Sequence, residues 1–154
     1  MVSRLNLLAK SLGNFSKPFC ASPLTLTHNF STNSVQIPPP VQLSFNVIKV
    51  SSDRLPLVIL HGLFGNKTNW KSLSKTISDL TKRSVYAVDL RNHGDSPHTS
   101  PEETTMAANA ADIKMLLSNE GIKSCSLLGH SMGARVINQF CFLFVSLLRS
   151  YQYE

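Results

Sequence analysis

The sequence predicts an α/β fold: a mostly parallel sheet with flanking helices. Three observations carry this. Apolar runs at 55–60, 84–88 and 124–128 read as buried strands, and amphipathic stretches that read as helices separate them. Each run opens directly into a turn built around Gly or Asp. The last one ends in Gly129-His130-Ser131-Met132-Gly133, a G-x-S-x-G run that leads into a further apolar, helix-spaced stretch.

Taken in order, Leu43, Phe45, Val47 and Val50 predict an early strand near the start of the folded part. Leu55 to Leu60 is long enough for a central strand and ends in His61-Gly62-Leu63-Phe64-Gly65. A helix is expected from Asn69 to Lys82, with Trp70, Leu73, Ile77 and Leu80 on its buried face. Ser84 to Val88 is the next strand, followed by the loop Asp89 to Pro97. Gly94 permits a tight turn there, and Asp89 and Arg91 are expected to satisfy the loop backbone and each other. His93 and His98 read as loop or surface residues. Ser100-Pro101-Glu102-Glu103 combines an N-cap Ser, Pro at N1 and Glu at N3, so the second helix is expected to open there. Its apolar face reads Met106, Ala110, Ile113 and Leu117, and Gly121 can end it. Ser124 to Leu128 is a short strand, and the spacing of Val136, Ile137 and Phe140 predicts a helix from about Met132. The run 140–148 is apolar almost all round. It fits a fully buried helix and falls short of the about 20 residues a membrane span needs.

Strand, serine, helix is the setting of a nucleophile elbow, a sharp turn that exposes Ser131. Such a turn strains the serine's backbone, and Gly129 and Gly133 stand where the chain comes too close for a Cβ. An acyl-transfer site also needs two backbone N–H groups aimed at the developing oxyanion. Met132, after the serine, supplies one, and Leu63, in the loop His61-Gly62-Leu63-Phe64-Gly65, supplies the other. His61, Gly62 and Gly65 support that loop. His130 reads as a packing residue beside the elbow.

These segments together resemble the α/β-hydrolase superfamily. The string Asp89-Leu-Arg91-Asn-His93-Gly94-Asp-Ser-Pro-His98, with the His61 loop before it and the elbow after it, is similar to one branch. That branch is the mitochondrial alpha/beta-hydrolase domain-containing protein 11-like esterases and their bacterial esterase relatives. The likeness covers about 42–137, and Ala134 departs from the second Gly usual in the branch. It implies a serine hydrolase of carboxylic esters or thioesters that works through a Ser131 acyl-enzyme on small-molecule substrates, with no cofactor. In this family the triad's acid and histidine follow the serine. Residues 132–154 hold no His and no Asp, and Glu154 is their only acid. The expectation is therefore the N-terminal half of an α/β-hydrolase domain, C-terminally truncated and inactive as it stands. The alternatives are a non-catalytic truncated isoform or interaction protein, and an acyltransferase using the same nucleophile.

The first 34 residues carry Arg4, Lys10 and Lys17, no acid, and much Ser, Thr and Asn. They read as a mitochondrial transit peptide, with the matrix as destination and a disordered tail as the alternative. Residues 35–41, with Pro38-Pro39-Pro40, form a stiff linker; 42–148 are the partial domain and 149–154 a tail. The formal charge of +6 is spread without a basic cluster interleaved with aromatics, so no nucleic-acid partner is expected. Cys20, Cys125 and Cys141 have neither disulfide-framework nor zinc spacing, and no metal is expected.

Overall fold

β2 (Leu57–Leu60) is central in a four-stranded sheet of order β1-β3-β2-β4. The structure, a computed structural model, describes residues 36–145. The expected transit peptide and the 149–154 tail lie outside those residues. β1 (Phe45–Ile48) runs antiparallel to β3 (Val85–Val88), while β3 and β4 (Ser126–Gly129) are both parallel to β2. The α/β architecture with a mostly parallel sheet is thus observed.

Every residue of β2 and β3 is buried, because both faces of the sheet are covered. Alternation divides their side chains between two layers. Val58, Leu60, Tyr86 and Val88 pack with Ile113, Leu116 and Val136 from α2 (Met106–Asn119) and α3 (Met132–Phe140). Leu57, Ile59 and Val85 pack with Trp70 and Ile77, from the segment leading into α1 (Lys71–Thr81) and from α1 itself. Burying one such aliphatic side chain contributes about 1.5–3 kcal/mol, so the eight strand residues supply much of the driving force for folding.

Several elements differ from the sequence expectation. The first helix begins as a 3-10 turn at Lys67–Trp70, capped by the Asn66 side chain, and becomes α-helical only at Lys71. Its buried residues are Ser74 and Ser78, whereas Leu73 is 44% and Leu80 78% exposed. Small serines let the helix lie close to the sheet, and Ser78 Oγ donates to the Arg83 carbonyl at 3.0 Å. The second helix does not open at Ser100. The Glu103 side chain accepts from Ser100 N–H at 3.4 Å, but this closes a separate 3-10 turn, Pro101–Glu103. Thr105 is the true N-cap of α2, accepting from Ala108 N–H at 3.0 Å. The inward face of α2 includes Asp112 and Asn109 beside Ala110, Ile113 and Leu116, so Met106 and Leu117 are displaced to its flank. Past α3 the chain widens into a π-helical turn, Cys141–Val145, and Phe142 is 72% exposed. This stretch is not fully buried, because β4 is the last strand of the sheet and no described element lies beyond it.

Candidate active site

β2 and β4 lie side by side with Leu60 opposite Gly129, so the chain leaves both strands at the same edge of the sheet. The loop after β2 carries His61 to Gly65; the turn after β4 carries His130 to Gly133. His130 N–H donates to the Leu60 carbonyl at 3.0 Å and ties the two exits together.

Ser131 sits in the turn at φ 51 and ψ −110, a conformation that an L-residue adopts only under constraint. The constraint is visible. Gly133 N–H reaches the His130 carbonyl at 2.9 Å and Ala134 N–H reaches the Ser131 carbonyl at 3.1 Å, starting α3 directly after the serine. A Cβ on Gly129 would lie 2.6 Å from Ala134 N, and one on Gly133 would strike the Leu60 carbonyl. Ser131 itself is exposed, and its Oγ has no hydrogen-bond partner among the described residues.

The facing loop is a tight turn in which Gly65 N–H donates to the Gly62 carbonyl at 2.9 Å. A Cβ on Gly62 would sit 2.8 Å from His130 Nδ1 and 3.4 Å from Ser131 Cβ, so the two turns are in contact. His61 is buried with both ring nitrogens engaged: Nε2 accepts from Leu90 N–H at 3.0 Å, which leaves the proton on Nδ1 to donate to the Gly62 carbonyl at 2.7 Å. Burial pushes its pKa down, which suits this neutral tautomer. In a trans peptide the N–H points opposite to the C=O. Holding the Gly62 carbonyl toward His61 therefore turns the Leu63 N–H to the other side. The N–H groups of Leu63 and Met132 donate to nothing among the described residues.

Leu63, Gly62, Gly65, His61, His130 and Ser131 line one cavity of about 620 Å³, closed on its other side by Phe64, Asn69, Trp70 and Leu73. All the residues singled out for the site are thus brought together, with Met132 next to Ser131 and Gly129 and Gly133 behind it. Trp70 packs against the sheet as expected and also lines the cavity, whereas Leu73, expected on the buried face of α1, faces the cavity instead.

Lys67 carries no motif signal, yet it is central to the loop's support. It is buried; its N–H donates to Asp89 Oδ1 at 2.6 Å, and its ammonium meets Asp89 at 2.5 Å and Asp95 at 2.6 Å. Burial works against both charges, but the hydrogen bonds prevail: Lys67 is held above its usual pKa and Asp89 below the carboxylate range. The expected Asp89–Arg91 pairing does not occur. Asp89 turns to Lys67, and Arg91 makes a two-point, fully buried pair with Asp112 of α2 at 2.7 Å, because the two side chains leave the loop on different sides. Lys67 was detectable only as an isolated cation between two apolar stretches, which does not distinguish it from a surface lysine.

No histidine nitrogen among the described residues bonds to Ser131. His61 is committed as above, and the ring of His130 stands edge-on to Trp70 at 6.5 Å. Among the described residues no group of His, Cys, Asp or Glu is arranged to hold a metal ion, and no helix is long and apolar enough to cross a membrane.

A strand ending in a strained, exposed serine, beside a glycine turn on the neighbouring parallel strand, is the arrangement of an α/β-hydrolase. Residues 56–151 match the family described as the alpha/beta hydrolase fold, and the chain belongs to that family. It is 40% identical over 120 residues to an sn-1-specific diacylglycerol lipase ABHD11 of Danio rerio, covering 78% of this chain and 37% of that protein. It is 32% identical over 146 residues to a probable alcohol acetyltransferase of Saccharomyces cerevisiae, covering 86% and 41%. Among solved structures it is similar to a marine microorganism esterase, with a TM-score of 0.59 and 33% identity over 66% of this chain and 36% of that one. The chain spans less than half the length of these relatives. These relatives are named as a lipase, an acetyltransferase and an esterase.

Proposed function

We propose that Ser131 is the nucleophile of an acyl-transfer site for small carboxylic esters or thioesters, with the Leu63 and Met132 N–H groups as its oxyanion hole. The observation that carries this reading is the strained backbone of Ser131, φ 51, at the mouth of a cavity with two unbonded N–H groups beside it. In the step proposed, Ser131 Oγ adds to the acyl carbon and the carbonyl electron pair moves onto oxygen, where the two N–H groups hold it. Collapse expels the alcohol or thiol and leaves the acyl-enzyme, which water or a second alcohol then resolves. The similarity to an alcohol acetyltransferase favours keeping acyl transfer to an alcohol beside hydrolysis.

Both proton transfers need a base at Ser131, and none of the described histidines is in position to act. A polypeptide of residues 1–154 alone is therefore expected to turn over p-nitrophenyl acetate about 10⁴-fold or more below an intact family member. Turnover that matches such a relative and vanishes in Ser131→Ala would overturn this. We assign residues 1–34 to mitochondrial import on their acid-free, basic, hydroxyl-rich composition. Residues 1–40 fused to a fluorescent protein should mark mitochondria; diffuse cytosolic signal contradicts the assignment.

A further inference from the structure

Leu63 lies between two peptide planes, and each has its carbonyl held by a histidine ring. The Gly62 carbonyl accepts from His61 Nδ1 at 2.7 Å; the Leu63 carbonyl accepts from His93 Nε2 at 2.7 Å. With both planes fixed, the two soft dihedrals of Leu63 have no freedom left. Packing does not do this work: the Leu63 side chain is half exposed and Phe64 is 99% exposed. His93 reaches over from the loop after β3, with its ring 4.9 Å from that of His61 and its Nδ1 2.9 Å from the Arg91 carbonyl. Arg91 is itself locked to Asp112, so the contact is anchored to α2 and does not float with the loop. Both atoms facing the His93 ring are carbonyl oxygens. A neutral ring donates to one of them at a time, and the Leu63 contact is the shorter.

We propose that His93 is a positioning residue of the oxyanion hole: by holding the Leu63 carbonyl it keeps the Leu63 N–H aimed at the reacting oxygen. The inference rests on the assignment of Ser131 and Leu63 to an acyl-transfer site. It gives His93 a role in that site without direct contact with substrate.

Two amides separate the contacts of the ring. The amide nitrogen of Gln falls near Nε2 and keeps the Leu63 donor; that of Asn falls near Nδ1 and keeps only the Arg91 donor. The probe is phenylboronic acid, read through the fluorescence of Trp70, the chain's single tryptophan and part of the cavity wall. Boron accepts a lone pair of Ser131 Oγ, the hydroxyl proton passes to the buffer, and the resulting tetrahedral boronate anion places an oxygen in the hole. His93→Asn should weaken binding roughly tenfold, a fraction of the 10²–10³ that loss of a donor outright costs. His93→Gln should restore it to near the wild-type affinity, with both variants melting alike. Equal affinities for the Asn and Gln variants overturn the inference while Ser131→Ala still abolishes binding. Boronate affinity unchanged in Ser131→Ala, or no binding by the unaltered chain, overturns the acyl-site reading and the role of His93 with it.

Discussion

Ser131 is the residue whose backbone and chemistry pull in different directions. At φ 51 and ψ −110 it occupies a region that costs about 1–3 kcal/mol for an L-residue, and nothing in its side-chain contacts offsets that. The strain is maintained by the turn, since Gly129 and Gly133 cannot move apart without breaking the junction of β4 and α3. A stability experiment follows. Ser131→Gly relieves the strain and gives back about 0.5–1 kcal/mol of extra freedom to the unfolded chain, for a net gain of about 1 kcal/mol. Ser131→Ala keeps the strain and should be close to neutral. Urea denaturation of the two variants compares them directly; a glycine variant no more stable than the alanine one means the turn is not strained. His61 makes the complementary point. Its two ring nitrogens are engaged by backbone groups, so a histidine within one cavity of the serine is a brace for the loop and has no free nitrogen to take a proton from Oγ.

At the scale of elements, the loops after β2 and β3 are joined by charge. Asp89 is fully buried and receives the Lys67 N–H and ammonium together with the Asp95 N–H. Removing one member of a buried pair leaves the other uncompensated, so Lys67→Met should cost about 3 kcal/mol at neutral pH. The pH dependence has a definite sign. Asp89 titrates below its unfolded value, so its contribution is complete above about pH 4 and disappears as the pH falls through the folded value. The gap in unfolding free energy between the unaltered chain and Lys67→Met should therefore be full at pH 7 and close below about pH 4. A gap that persists unchanged into acid assigns the loss to packing instead. These same loops show where sequence reading succeeds and where it stops. β2, β3, the elbow and the glycine turn were legible because they depend on local chemistry: apolar runs, and glycines where no Cβ fits. The face of α1 was not. Hydrophobic spacing places Leu73 and Leu80 inward, yet Ser74 and Ser78 are inward because helix and sheet approach closely, and Leu73 is drawn to the cavity. The partners of Asp89 and Arg91 were equally hidden, since Lys67 and Asp112 are 22 and 21 residues away in the chain and are brought near only by the fold.

Over the whole molecule, the sheet brings the strained Ser131 turn, the glycine turn and the Leu63 and Met132 N–H groups, which donate to nothing among the described residues, to one edge. Among the described residues β4 is hydrogen-bonded only to β2, and its Leu128 is 38% exposed. The relatives continue well beyond the length matched here. The central proposal is that Ser131 and its oxyanion hole are formed while none of the described histidines serves as its base, and a base can be offered from solution. The rate at which a fluorophosphonate labels Ser131 should therefore be measured against added imidazole, with Ser131→Ala as the background. The account predicts slow labelling without imidazole and a rate that climbs with its concentration, confined to Ser131. Rapid labelling of Ser131 with no imidazole present, or no labelling of Ser131 at any concentration, would contradict it.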